Sequence, residues 1–251
     1  MHLNGTTRKL VAGNWKMHGT SAALQEARTL SDALEAEPAN CRVALFPPAV
    51  LIHRLAEVLK GGPVAVGGQD SHEESCGAYT GDVSAEMLHD AGASMVILGH
   101  SERRSVYRES DADVSAKVVA ALRAGLEPIV CVGETLDQRE AGQALGVVET
   151  QVLGSLPEDL RGRAFAVAYE PVWAIGSGQT PTLAQVEEVH GLIHRLLADR
   201  FGAADATPVL YGGSVKPDNA VELLSVPGVD GALVGGASLR AQDFLPIVRA
   251  A

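Results

Sequence analysis

Several short segments of this chain carry residue types suited to acid–base chemistry on a small anion. Asn14 and Lys16 follow one short apolar run, Gly99-His100-Ser101-Glu102 a second and Glu170-Pro171 a third. Gly212-Gly213-Ser214 and Gly235-Gly236 follow two more, and Gly176-Ser177-Gly178 adds another glycine-rich loop. Lysine brings a positive charge, while imidazole and carboxylate groups give and take protons. Glycine has no Cβ, so its backbone approaches a ligand closely and accepts positive φ. A glycine turn leading into a short helix aims N–H groups at a phosphate. Each residue alone has an ordinary explanation. A lysine after a strand is usually a solvated charge, a loop histidine a surface or cap residue, and a glutamate before proline an extended residue at a strand end. Their functional reading depends on whether the fold brings them together.

The elements that would position them alternate in type. Short runs rich in Val, Ile, Ala and Leu occupy residues 9–12, 42–46, 64–67, 94–98, 128–132, 165–169, 208–211 and 231–234. With little polar alternation, they read as parallel strands covered on both faces. Between them lie helix-like stretches at 21–37, 113–124, 144–153, 183–200 and 218–224. The first has Leu24, Ala27, Leu30 and Leu34 at three- and four-residue steps. Pro217 suits a first helical turn. Eight strand–helix units in about 250 residues predict an α/β fold, a (β/α)8 barrel with residues 1–251 as one domain. A doubly wound open sheet is the competitor, but it usually places a glycine-rich fingerprint after its first strand, where this chain has Gly13-Asn14-Trp15-Lys16. Barrel active sites lie at the C-terminal ends of the strands. Lys16, His100 and Glu170 would then share one rim with the glycine turns after strands seven and eight, the frequent phosphate site of barrels.

Composition fits that picture. Hydrophobic residues are 46% of 251 and aromatics only 4%, so small aliphatic side chains must fill the interior. The formal net charge of -11 argues against a general grip on nucleic acid, which needs a dense basic patch. A small anion is still compatible, because backbone donors act locally. Cys41, Cys76 and Cys131 form no C-x-x-C, which points to a reducing compartment and a cytoplasmic protein. The N-terminus lacks the apolar core of a signal peptide, and no apolar run is long enough to span a membrane. The longest non-periodic stretch runs from Gln69 to Val83, an interaction element or an ordinary surface loop. His190 and His194 stand four apart, but without H-E-x-x-H they read as a solvated helix face rather than metal ligands. Cys131 reads as a packed residue, and Trp15 and Trp173 as loop anchors held by burial.

In order along the chain, Gly13-Asn14-Trp15-Lys16-Met17, Gly99-His100-Ser101-Glu102-Arg103-Arg104, Tyr169-Glu170-Pro171-Val172-Trp173-Ala174-Ile175-Gly176, Tyr211-Gly212-Gly213-Ser214-Val215 and Asp230-Gly231-Ala232-Leu233-Val234-Gly235-Gly236-Ala237-Ser238-Leu239 resemble the triosephosphate isomerase family. The resemblance implies a TIM barrel that interconverts dihydroxyacetone phosphate and glyceraldehyde 3-phosphate without metal or organic cofactor. It implies Glu170 as base and His100 as neutral electrophile, the mechanism that serves as a standard illustration of tuned acid–base groups. It further implies Lys16 as the local positive charge, Asn14 and Glu102 as its supports, and Gly176, Ser214, Gly235 and Gly236 as phosphate-binding N–H donors. Residues 171–181 would form a lid, and the loop from Gln69 to Val83 would insert into a second subunit, carrying Thr80 towards its Asn14 and Lys16 in a homodimer. Two departures concern the lid: Gln179 replaces a common lysine, and Pro181 has no N–H for the usual latch with the Tyr211 hydroxyl. His194 stands where many relatives have arginine. Another phosphate-binding barrel enzyme, such as an aldolase or a tryptophan-pathway isomerase, and a non-catalytic binding protein are the rival readings. The Glu170–lid segment argues against the first, and the intact set Asn14, Lys16, His100 and Glu170 against the second.

Overall fold

The structure is a computed structural model that describes residues 9–175, 179–202 and 207–251. Its strands are β1 (Leu10–Asn14), β2 (Arg42–Phe46), β3 (Val64–Gly68), β4 (Met95–Leu98), β5 (Glu127–Val132), β6 (Ala166–Tyr169), β7 (Val209–Tyr211) and β8 (Gly231–Val234). Each pairs in parallel with the next, and β8 returns to β1 with Leu10 opposite Gly231, so the sheet closes into the expected (β/α)8 barrel. The strand assignments differ from expectation by one or two residues at the ends.

Two cores follow from the alternation of side chains along each strand. Leu10 and Ala12, Ala44 and Phe46, Met95 and Ile97, Ile129 and Cys131, and Ala166 and Ala168 point into the barrel, joined by Leu210 and Leu233. Their neighbours point outwards: Val11, Val43, Val96, Val130 and Val167 pack under the helices. The interior is narrow, and large side chains need space from small ones. A Cβ on Gly67 would lie 2.2 Å from the Phe46 ring, so glycine there makes room for the largest residue of the inner core.

The helices are α1 (Leu24–Ala36), α2 (Ile52–Val58), α3 (Ala85–Asp90), α4 (Ser101–Val106), α5 (Asp111–Arg123), α6 (Leu136–Glu140), α7 (Ala144–Ser155), α8 (Leu183–Phe201), α9 (Ala220–Leu224) and α10 (Ala241–Arg249). Capping boxes begin α5, α6 and α8, where Ser110, Thr135 and Thr182 each accept from the third helical residue's N–H. Gly202, at φ 75°, ends α8 in the left-handed cap. Pro217 lies in the turn ahead of α9 rather than in its first turn. The solvated reading of the α8 histidines is overturned. His190 is fully buried because it falls on the inward stripe of Val186, Ile193 and Leu197, at steps of four, three and four. Its Nδ1 and the Nε2 of His194 both meet the Gly228 carbonyl, at 2.9 and 3.0 Å, and His194 also lies 3.1 Å from Asp230. Burial lowers the His190 pKa to about 4, so it is neutral and donates to that carbonyl. No helix of the described residues is long and apolar enough to cross a membrane.

Candidate active site

The polar residues after the strands meet at one end of the barrel, around a cavity of about 270 Å³ lined by Asn14, Lys16, His100, Glu170, Ser214, Gly235 and Gly236 among others. His100 is the residue that turns the chain from β4 into α4. As the N-cap, its backbone is extended, and its Nδ1 accepts the N–H of Glu102 at 3.2 Å. A nitrogen that accepts carries no proton, so the ring proton sits on Nε2, which faces the Glu170 carboxylate at 2.9 Å. The other Glu170 oxygen accepts the N–H of Ser101, also at 2.9 Å. Only 5% of His100 and 2% of Glu170 is exposed.

Burial and pairing compete at these two groups. Burial, the largest single effect, pushes the Glu170 pKa up. The His100 imidazole facing it, the Ser101 N–H and the charge of Lys16 together outweigh it and hold the carboxyl below the ordinary glutamate range. At His100 burial pulls the pKa down, and Glu170, followed by Glu102, pulls it up by more. That upward pull belongs to the contact. It lapses when something separates the imidazole from Glu170, whereas the Glu102 N–H on Nδ1 continues to favour the neutral ring.

Lys16 is held from both sides. Its backbone has φ 52°, a left-handed conformation unusual for a residue with a Cβ. The Asn14 side chain accepts the Lys16 N–H at 2.9 Å, and the Gln69 amide donates to the Lys16 carbonyl at 2.8 Å, which together keep the turn in that shape. The Lys16 ammonium pairs with Glu102 at 2.6 Å. Trp15 is buried, and its indole N–H donates to Ser238 O at 3.1 Å, tying this loop to the one after β8.

The two glycines after β7 are required by contact. A Cβ on Gly212 would sit 2.8 Å from the Glu170 Cγ, and one on Gly213 would sit 2.2 Å from the Tyr211 hydroxyl. Asn219 braces the turn at Ser214, donating to its carbonyl and accepting the Lys216 N–H. Among the described residues the buried Tyr211 hydroxyl has no hydrogen-bond partner. Gly176, expected as a further phosphate donor, and the neighbouring Ser177 and Gly178 lie outside the described residues.

Sequence reasoning missed three supports: the Ser101 N–H on Glu170, the Gln69 amide on Lys16, and a buried cluster behind the proposed lid. In that cluster one oxygen of the fully buried Glu134 accepts from the Trp173 indole at 2.9 Å, the Tyr169 hydroxyl at 3.1 Å and Arg139 at 2.7 Å. Trp173 is thus anchored by a charged hydrogen-bond acceptor, beyond its half-burial. The available signal was Glu134 itself, an acidic residue directly after β5. Cys131 is completely buried, its thiol pKa pushed well up by burial and then by Glu170. No group of three or more potential metal ligands occurs among the described residues.

Known proteins resemble this chain along almost its entire length. Residues 9–251 match the family described as triosephosphate isomerase. The triosephosphate isomerase of Caulobacter vibrioides is 58% identical, with all of both chains covered, and that of Ruegeria pomeroyi is 56% identical with 97% of each covered. The crystal structure of triosephosphate isomerase from Bartonella henselae superposes with a TM-score of 0.90 at 49% identity, covering 97% of this chain and 98% of that one. Matches of this length and identity, on a barrel with the same fold, mean that the chain belongs to the triosephosphate isomerase family.

Proposed function

We propose that Glu170 and His100 carry the proton transfers by which this isomerase interconverts dihydroxyacetone phosphate and D-glyceraldehyde 3-phosphate, a reaction of glycolysis and gluconeogenesis. The supporting observation is the 2.9 Å contact between the buried Glu170 carboxylate and His100 Nε2, beside glycine turns suited to a phosphate. Glu170 takes a proton from the carbon next to the carbonyl, and the electron pair moves to the carbonyl oxygen. His100 Nε2–H meets that oxygen as its negative charge develops, and Lys16 adds positive charge nearby. His100 then passes its Nε2 proton to that oxygen and takes the hydroxyl proton of the adjacent carbon, and the carboxylic acid of Glu170 returns its proton to the former carbonyl carbon as the adjacent carbon becomes the new carbonyl. Asn14 and Glu102 set the place of Lys16, while Ser214, Gly235, Gly236 and Gly176 hold the phosphate by backbone N–H groups. No cofactor enters this reading.

The same reading makes residues 1–251 one barrel domain of a cytoplasmic homodimer. The loop from Gln69 to Val83 supports the dimer. It is closed at its base by His72 N–H on Val83 O at 2.8 Å, stacks His72 on Tyr79, and exposes residues 73–82, including Thr80. Beside Lys16 lies an opening of about 530 Å³, flanked by Met17, which is 93% exposed, and by Tyr107. An exposed methionine beside such an opening suits a partner's loop. Cys76 is an exposed thiol and Cys131 a buried one, as a reducing compartment would keep them.

A coupled assay of the purified protein with each triose phosphate tests the reaction. Turnover in both directions is expected, and none in either would refute it. Light scattering should give the mass of a dimer; a fully active monomer contradicts the loop-insertion reading.

A further inference from the structure

β5 runs further than β4. The two pair up to Leu98 opposite Val130, after which the β4 chain turns away at His100 into α4. On its other side β5 stays paired beyond its end: Val132 O accepts Glu170 N–H at 2.7 Å, and Glu134 O accepts Val172 N–H at 3.0 Å. Along a strand, backbone groups alternate sides. Those of Cys131 and Gly133 therefore face the gap that β4 vacated. Side chains fill it. Arg104 donates to Cys131 O at 3.2 Å. Gln151, from α7, accepts the Gly133 N–H at 2.7 Å and donates to Gly133 O at 3.1 Å. Its amide presents the donor and acceptor that a neighbouring strand would present.

Gly133 is where this matters. The Glu170 main chain rests directly on it, so closely that a Cβ on Gly133 would fall 1.7 Å from Glu170 O. Packing does not hold this stretch from behind, where a cavity of about 200 Å³ is bordered by Cys131, Gly133, Gln151 and Glu170. Hydrogen bonds must do so. Gln151 is half-buried on α7 beside the buried Val148, Val152 and Ser155, a placement that costs stability unless the amide is satisfied.

We propose that Gln151 is a positioning residue for Glu170, fixing the base through the Gly133 peptide against which its backbone lies. The proposal rests on the reading of Glu170 as the base. A base must be placed to a fraction of an ångström, and a displacement of about 1 Å costs up to about a hundredfold.

Two variants test it. Gln151→Leu keeps the bulk and removes both hydrogen bonds. Its kcat is expected to fall about tenfold to a hundredfold with KM little changed, because the phosphate-binding turns lie across the barrel. Gln151→Glu is the sharper test. When protonated, its carboxyl group accepts from Gly133 N–H and donates to Gly133 O, as the amide does; when ionised, it only accepts and opposes its charge to that carbonyl. The ratio of its kcat to that of the wild type should be near one at low pH and fall about tenfold as the carboxyl ionises. The Gln151→Leu deficit should not vary with pH. Wild-type kcat in both variants at every pH, or a lower melting temperature with kcat intact, overturns the proposal. If Glu170→Gln is inactive at the same time, the base assignment stands. An active Glu170→Gln overturns that assignment and this proposal with it.

Discussion

Replacing Glu170 with glutamine changes one oxygen to an NH2 and keeps the shape, so its consequences can be worked out bond by bond. The carboxylate accepts two hydrogen bonds, from His100 Nε2–H and from the Ser101 backbone, both at 2.9 Å. A glutamine can accept only one of them. With its oxygen towards Ser101, its NH2 faces the His100 N–H. The imidazole cannot relieve that conflict by moving its proton to Nδ1, because Nδ1 already faces the Glu102 N–H. One buried donor is therefore left unsatisfied, at about 1–3 kcal/mol. The depressed pKa of Glu170 gives the same sign, since the site favours the ionised carboxylate over a neutral group. The catalytic loss is larger. General base catalysis contributes roughly 10²–10⁴-fold, or about 3–5 kcal/mol of barrel-side barrier lowering. Glu170→Gln should thus lose at least about a hundredfold in kcat, with a melting temperature lower by a few degrees and KM changed much less. Steady-state coupled assays and calorimetry measure these quantities. A folded variant turning over at the wild-type rate would remove Glu170 from the chemistry.

Further outcomes follow from the same geometry. Gly212→Ala places a methyl 2.8 Å from the Glu170 Cγ, some tenths of an ångström inside normal contact, so kcat should fall about tenfold or more while the fold survives; unchanged kcat would show that Glu170 tolerates the displacement. Trp173→Phe removes the indole donor to Glu134, which keeps Arg139 and Tyr169; a loss of about 1–2 kcal/mol in denaturant unfolding is expected, and none would mean the bond contributes nothing net. For pH, the His100 contact lowers the Glu170 pKa in the free enzyme, and on the proposed reading that contact breaks when a substrate carbonyl takes the His100 N–H. The acid limb of kcat should therefore lie at higher pH than that of kcat/KM, and coincident limbs would contradict the displacement. For stability the sign is that of a depressed carboxyl. The contribution is present above the unfolded-state pKa and is lost as pH falls through the lower folded value.

The barrel was legible because each strand is a short aliphatic run without alternation, and all eight were located to within a residue or two. The long helices α1, α5, α7 and α8 were legible from their period. Of the short helices, α9 was located at 218–224, beside Pro217, whereas α2, α3, α4 and α6 were not, because five to seven residues rarely display a period. The 3.6-residue repeat was also undervalued at His190, whose place on the α8 stripe follows from Val186 and Ile193 once polarity is ignored. For the site, strand ends pointed to Asn14, Lys16, His100 and Glu170, since barrel topology converts sequence position into spatial position. The supports escaped for a common reason. Gln69, Ser101 and Gln151 act through a backbone N–H or through an amide gripping distant backbone, and nothing in a residue's type announces that a strand 18 or 53 positions away has run out of partners.

The site divides its tasks between two halves of the rim, and that division explains how an acidic protein handles an anion. After β7 and β8 the available ligands are backbone N–H groups of glycine turns, which on the proposed reading would bind a phosphate equally before and during the reaction. After β4 and β6 the groups are titratable and, when the site is empty, satisfy each other. His100 and Glu170 leave no buried polar atom of their pair exposed to an unfavourable surrounding, so the resting site is stable. They also leave no room between them. A carbonyl reaches the His100 N–H only by parting that contact, a charge-assisted hydrogen bond of about 1.5–3 kcal/mol. Attraction for the remote phosphate can drive the separation, and the separation removes what kept Glu170 weakly basic. Burial then acts on the carboxylate unopposed by His100, raising its basicity when a carbon-bound proton has come within reach.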